Sequence, residues 1–157
     1  MADERPLRIE NGPAPDAGPF HWRSVWPSRP QDKDAIVACI GAVLAAACPL
    51  DDEERQWTRL CLDEAIINAI VHGNEADPSL VVAVRLWIDA DARGWTVEIA
   101  DQGRGFTPQA VPSHPADGTL LEHGRGVRIL LEWLDGVRYY DGGRTVRLHR
   151  RLRGTGA

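Results

Sequence analysis

Apolar residues recur with a helical period in the first half of this chain. Their spacing at i, i+3 and i+4 predicts one helix over residues 34–48 and a second over residues 53–71. Either Asp51 or Asp52 is suited to cap the N-terminus of the second helix. Gly73 follows the last apolar residue, where a helix often ends in a left-handed conformation.

In the second half, the period changes from that of a helix to that of a strand. Alternating residues predict a hairpin of strands 80–88 and 95–100, and a second hairpin of strands 137–140 and 144–151. A helical pattern over residues 126–134 separates the two hairpins. This order predicts an α+β fold, a two-layer sandwich with the helices on one face of a mixed, mainly antiparallel sheet.

Three segments lie outside this regular pattern. Residues 1–19 are rich in Pro, Gly and acidic residues, and we predict a flexible N-terminal arm there. Residues 20–26 alternate and predict an edge strand. From this strand onward, the length of the chain predicts a single domain over residues 20–153. Residues 102–124 have little periodicity, which is typical of a lid or a binding loop.

Composition and charge narrow the functional classes. The chain has 157 residues, of which 43% are hydrophobic, enough for a core without a disulfide or a structural metal. Its net charge of -5 argues against nucleic acid as a direct partner. The three cysteines form no C-x-x-C motif and predict free thiols in a reducing compartment. No signal peptide or membrane-spanning stretch is evident, so we expect a cytoplasmic protein without a membrane contact.

Three polar residues on the second predicted helix are candidates for chemistry. Glu64, Asn68 and His72 are four residues apart, and this spacing leaves only ~40° between neighbours around an α-helix. They form one stripe, on which an amide and a carboxylate can hold a hydrated Mg²⁺ and orient a nucleophile. The alternative interpretation is a solvated helix face with a histidine near the C-terminal dipole.

A second candidate is the D-x-G-x-G sequence at the end of a predicted strand. Asp101 can accept hydrogen bonds from an amino group of a nucleobase, and Gly103 and Gly105 allow close approach of the backbone. A plain turn would have the same composition. No helix follows directly, so this is not a dinucleotide-binding fingerprint.

A third candidate lies directly before the third predicted helix. Gly124, Arg125, Gly126 and Val127 can supply backbone N–H groups and a positive charge to a phosphate at a helix N-terminus. A flexible start to the helix is the alternative. The chain has no G-x-x-x-x-G-K-[ST] sequence, so it is not a P-loop protein.

Together and in this order, the three segments resemble the motifs of GHKL ATPases. E-A-I-I-N-A-I-V-H-G-N at residues 64–74 resembles the N box, and D-Q-G-R-G-F-T-P at residues 101–108 resembles the G1 box. H-G-R-G-V-R-I-L-L at residues 123–131 resembles the G2 box. Within that superfamily the short chain is similar to the anti-sigma-factor serine/threonine kinases, over about residues 30–152.

The resemblance implies a Bergerat-type fold, with ATP and Mg²⁺ as ligands. It implies that Glu64 is the general base, that Asn68 binds Mg²⁺ and that Asp101 reads adenine. Thr145 is a weaker match, either to a threonine that supports adenine through water or to an ordinary strand residue. The implied ATP-binding set is Asn68, His72, Asp101, Gly103, Gly105, Gly124, Arg125, Gly126, Val127 and Thr145.

The resemblance also implies partners. Kinases of this family transfer the γ-phosphate of ATP to a Ser or Thr of a STAS-domain anti-sigma-factor antagonist, and they sequester a sigma factor; a homodimer is a family expectation. Two alternatives stay open: a non-catalytic binding module gated by ATP, and a histidine-kinase-like ATPase domain. The second is disfavoured because the sequence shows no helix pair with a phospho-acceptor histidine.

Overall fold

A computed structural model describes residues 7–10, 12–104 and 122–153, without the side chains of residues 7, 9 and 122–127. The strands are β1 (Leu7–Ile9), β2 (Trp22–Pro27), β3 (Val81–Ile88), β4 (Gly94–Ala100), β5 (Gly136–Tyr140) and β6 (Thr145–Arg151). The α-helices are α1 (Lys33–Ala47), α2 (Asp52–Ile67) and α3 (Glu122–Trp133). Short 3-10 turns occupy Pro30–Asp32 and Asp141–Gly143, and a π-helical turn covers Asn68–Gly73.

The strands form one six-stranded sheet in the order β1-β5-β6-β4-β3-β2. All neighbouring strands are antiparallel except β1 and β5, which run parallel. The helices pack on one face of this sheet, and the predicted α+β sandwich with a mixed, mainly antiparallel sheet is confirmed. The predicted edge strand is confirmed as β2, although it starts at Trp22 and includes Pro27.

The core lies between the helices and the sheet because alternate strand residues point toward the helices. Along β3, Val82, Val84 and Leu86 are fully buried, whereas the residues between them are only partly buried. They pack in the same core as Ile36 and Ile40 of α1. The apolar side chains of the helices and of the strands therefore pack in one layer, and this packing fixes the positions of the strand ends.

The N-terminus of α2 is capped as the sequence predicts, but its C-terminus is not. The Asp51 side chain accepts a hydrogen bond from the backbone N–H of Glu54 at 2.8 Å. Gly73 has no left-handed backbone, so the predicted cap there is wrong. The residues that adopt a left-handed backbone after this helical segment are Glu75 (φ 54°) and Ala76 (φ 55°). The N–H of Ala76 donates to the carbonyl of Ile70 at 2.8 Å.

Helix α3 begins at Glu122, four residues before the predicted start. Gly124 is therefore helical, whereas the sequence predicts that it lies in a loop directly before the helix. Of the predicted lid, residues 105–121 lie outside the described residues. The lid prediction stays untested over that range.

The N-terminal segment is bonded to the sheet in its described part, where the sequence predicts a flexible arm. After β1, residues 12–20 cross the outer face of the sheet, the face turned away from the helices. Arg147 donates to the carbonyl of Pro15 at 2.7 Å, and the indole N–H of Trp87 donates to the carbonyl of Gly18 at 3.1 Å. This segment links the β1 edge of the sheet to the β2 edge.

All three cysteines are free thiols, as predicted. Burial raises the pKa of the Cys61 thiol to about 12, so that it stays protonated and unreactive at neutral pH. Within the described parts of the chain, no helix combines the length and the apolar character needed to cross a lipid bilayer.

Candidate functional site

The predicted polar stripe lies where α2 changes into the π-helical turn. Glu64 is in the last turn of α2, Asn68 begins the π-helical turn and His72 is near its end, and all three side chains are partly buried. A π-helical turn contains more residues than an α-helical one, so the ~40° step predicted between Asn68 and His72 does not apply. Single π-helical turns are frequent at functional sites.

The structure brings Asn68 and Asp101 to one small cavity. Asp101 follows β4 directly, and the cavity lies between the end of that strand and the π-helical turn. Its volume is about 20 Å³, enough for about one water molecule. The other lining residues are Ala65, Ala69, Ile99, Tyr139, Gly143, Arg144 and Val146. The cavity is apolar apart from a few polar groups, a common composition for a small-molecule site.

Asp101 is a partly buried carboxylate that keeps a free acceptor capacity. Its Oδ1 accepts a hydrogen bond from the N–H of Gly103 at 2.9 Å. Burial raises the pKa of Asp101 to about 6, while the Gly103 N–H and the positive charge of Arg144 oppose this rise. The group is therefore mostly ionised at neutral pH and can accept a further hydrogen bond from a donor in the cavity.

Two glycines allow the close packing around this carboxylate. A Cβ atom on Gly73 would lie 2.4 Å from the carboxyl group of Asp101, and one on Gly103 would lie 1.7 Å from the carbonyl oxygen of Gly73. The sequence predicts that Gly103 allows a ligand close to the backbone. In the structure, the space beside it is filled by the backbone of Gly73 instead, and Gly73 is needed for this contact rather than as a helix cap.

Arg144 is a site residue that the sequence reasoning missed. Its Nε donates to the carbonyl of Gly103 at 2.7 Å, and its own carbonyl accepts from the N–H of Asp101 at 2.8 Å. It lines the cavity, whereas the neighbouring Thr145 pairs with Ala100 in the sheet and does not. An arginine directly before a candidate threonine is the one sequence signal that could have drawn attention to it.

The predicted phosphate side is described only in part. Gly105 lies outside the described residues. Gly124, Arg125, Gly126 and Val127 lie in the first half of α3, and their side chains are not described. A role of these residues in phosphate binding therefore stays a prediction.

Comparison with known proteins matches most of this chain to one family. Residues 26–150 match the model of the histidine kinase-like ATPase domain. The chain is also similar to the anti-sigma F factor of Anoxybacillus flavithermus (strain DSM 21510 / WK1), with 33% identity over 130 residues, covering 78% of this chain and 86% of that protein. The region matched by the family model contains the cavity with Asn68 and Asp101 but not β1.

Proposed function

Because the chain belongs to the histidine kinase-like ATPase domain family, we propose that it is an ATP-dependent protein serine/threonine kinase that acts as an anti-sigma factor. In this proposal it phosphorylates a STAS-domain antagonist and captures a sigma factor. The observation that carries the proposal is the shared cavity of Asn68 and Asp101. The similarity to an anti-sigma F factor supports the choice of partners.

The base end of the site is proposed to recognise adenine. The ionised carboxylate of Asp101 accepts a hydrogen bond from the exocyclic amine, while Ile99, Ala69 and Tyr139 offer apolar surface to the ring. Since the cavity holds only about one water molecule, its walls must separate to admit a base. The side chain of Arg144 forms a partly exposed part of this wall and is hydrogen-bonded to Gly103.

The catalytic end is proposed to use Glu64 and Asn68. Glu64 accepts the proton of the attacking Ser or Thr hydroxyl, and the amide oxygen of Asn68 binds Mg²⁺. When bound, the metal offsets charge on the phosphates. Mg²⁺ commonly keeps several water ligands and binds through few protein groups together with phosphate oxygens of the substrate.

The remaining predicted residues complete the phosphate side of this proposal. Backbone N–H groups in the first turn of α3 lack helical partners and can bind anions. The proposed set comprises His72, Gly105, Gly124, Arg125, Gly126 and Val127, with Thr145 behind the base.

Calorimetric titration with ATP, with and without Mg²⁺, tests the nucleotide part. The wild type is expected to bind ATP more tightly with Mg²⁺, and Asp101→Asn is expected to lose about tenfold to a hundredfold, the value of one hydrogen bond to a charged group. Absence of binding under both conditions would contradict the proposed site. A matched change outside the cavity, Asp89→Asn, should leave the affinity unchanged.

The proposed kinase activity is tested by phosphotransfer to the STAS-domain proteins of the organism that encodes this chain. The wild type is expected to label one of them from radioactive ATP, and Glu64→Gln to abolish labelling while ATP still binds. Labelling that persists in this variant would overturn the general-base role of Glu64. A wild type that binds ATP and the partner without any labelling would support the non-catalytic, ATP-gated alternative.

A further inference from the structure

Asn74, directly after Gly73, holds together three segments around the base end of the site. It is almost completely buried. Its Nδ2 donates to Ser28 Oγ at 2.5 Å and to the carbonyl of Val81 at 2.9 Å. Its Oδ1 accepts from the backbone N–H of Gln102 at 2.7 Å. One side chain therefore connects the segment after β2, the start of β3 and the loop after β4.

The chemistry of its partners fixes the orientation of this amide. The N–H of Gln102 can only donate and the carbonyl of Val81 can only accept, so the oxygen of Asn74 must face the first and its nitrogen the second. The side chain of Gln102 closes the arrangement, because its Oε1 accepts from the N–H of Val81 at 2.8 Å. Gln102 and Asn74 thus bind both polar groups of one peptide residue at the start of β3.

This arrangement bears directly on Asp101, the neighbour of Gln102. The loop from Asp101 to Gly103 is held by Arg144 on one side and by Asn74 on the other. Asn74 also follows Gly73, whose backbone packs against Gly103 and whose missing side chain admits the Asp101 carboxylate. The bond from Gln102 to Asn74 and the space left by Gly73 both act on the direction of this carboxylate, and both come from residues 73–74.

We propose that Asn74 is a positioning residue for base recognition, which aims the Asp101 carboxylate by fixing the backbone of Gln102. The proposal rests on the proposed nucleotide-binding function. Asn74 does not touch the base; it acts through Gln102. Its loss weakens the contact with the exocyclic amine of adenine and leaves binding of the phosphates largely intact. A purely structural asparagine would lower stability without changing the preference among bases.

The ratio of ATP to ITP affinity separates these two roles. ITP has a carbonyl where ATP has the exocyclic amine, so only ATP can donate to Asp101 from that position. The wild type is expected to prefer ATP by about tenfold or more, as expected for a hydrogen bond to a charged group. In Asn74→Ala the ratio is expected to fall toward one, mainly through weaker ATP binding. An unchanged ratio in Asn74→Ala would overturn the proposal.

Ser28→Ala is the matched control. It removes one hydrogen bond of Asn74 in the same buried cluster but leaves the bonds to Gln102 and Val81. It is expected to lower the melting temperature and to keep the ATP to ITP ratio. If Asn74→Ala does not fold, Asn74→Ser serves instead, because it keeps a polar side chain in the buried cluster that is too short to bond the N–H of Gln102 as Asn74 does. A fall of the ratio is expected there as well, and an unchanged ratio again contradicts the proposal.

Hydrogen–deuterium exchange without nucleotide distinguishes failure of this proposal from failure of the proposed function. Asn74→Ala is expected to speed amide exchange at Gln102 and Gly103, and Ser28→Ala is not. If the wild type shows no preference for ATP but exchange rises as expected, the positioning role stands and adenine recognition fails. If the wild type prefers ATP and exchange in Asn74→Ala does not rise, adenine recognition stands and the positioning role fails.

Discussion

Glu98 and Asp101 are carboxylates only three residues apart, yet they face opposite sides of the sheet. Glu98, on the outer face, is almost fully buried and accepts from Arg85 at 2.6 Å and from Arg147 at 2.7 Å. Asp101, toward the helices, forms no ion pair with any described residue, and Arg144 beside it is bonded to Gly103. A carboxylate with two guanidinium partners stabilises the fold, whereas one without a cation is available to a ligand.

On the outer face, the charged groups around Glu98 are paired with one another. The guanidinium carbons of Arg85 and Arg147 both lie 5.2 Å from the ring centre of Trp87. Arg147 also donates to Pro15 of the segment that crosses this face. Arginine, aromatic ring and carboxylate therefore form a closed cluster, and no site residue predicted from the sequence belongs to it.

Among the changes that test this difference between the two carboxylates, Glu98→Ala is expected to have the largest effect on the free energy of unfolding. It leaves Arg147, a mostly buried arginine, without its carboxylate, and breaking a buried ion pair costs about 3–5 kcal/mol of unfolding free energy. Chemical denaturation measures this loss. Glu132→Ala at an exposed position is the control and should change little. The folded variant should keep its ATP affinity; a large change in affinity would contradict the separation of the two faces.

Gly73→Ala should affect the opposite face. The added Cβ meets the Asp101 carboxyl group, and overpacking of this kind costs about 1–3 kcal/mol. We expect ATP affinity to fall by about tenfold to a hundredfold in a calorimetric titration. Gly41→Ala is the matched control, because its Cβ meets nothing within 4 Å inside α1, and it should stabilise the protein by about 0.5–1 kcal/mol. Equal effects of the two changes would refute the close packing around Asp101.

Asp101→Asn is expected to stabilise the protein at pH 7 while it weakens ATP binding. The pKa of Asp101 rises from 3.8 to about 6 on folding, so the unfolded chain ionises first and stability falls as the pH rises through this window. Removing the charge should recover about 1–2 kcal/mol at pH 7, less than the full pKa difference implies because solvent screens this partly exposed group, and little below pH 4. Thermal unfolding from pH 4 to pH 8 measures the difference, and a variant no more stable than wild type at pH 7 would contradict the burial of this charge.

The smallest effect is expected for Arg85→Ala. Arg85 is 38% exposed, and Arg147 still pairs with Glu98 after its removal. A half-exposed ion pair contributes less than about 1 kcal/mol, which salt should reduce further. Denaturation at low and high salt measures both. A loss comparable to that of Glu98→Ala would mean that Glu98 depends on both partners equally.

The fold could be predicted from the sequence wherever one face of an element is buried. The alternation of Val82, Val84 and Leu86 gave β3, and helical spacing gave α1 and α2, because burial acts on each element separately. β1 was missed: it has only three residues, and its partner strand lies near the other end of the chain. No local pattern encodes such a pairing.

The same limit applies to the candidate site. Asp101 and Asn68 could be selected because their chemistry and their places at a strand end and on a helix face were unusual. Arg144, Gly73 and Asn74 depend on which backbone atoms meet across the fold, and these contacts appear only in three dimensions. Gly73 was singled out for the wrong reason, since a glycine can provide either a left-handed turn or space for a neighbour.

The parallel pairing of β1 with β5 constrains how the chain can be assembled during translation. Leu7, which leaves the ribosome early, lies opposite Val137, which is synthesised after every helix and most strands. Segment 12–20 cannot complete its contacts with the outer face until Arg147 of β6 has been synthesised. β1 therefore stays unpaired until synthesis of the domain is nearly complete. Its pairing with β5 belongs to the final steps of folding.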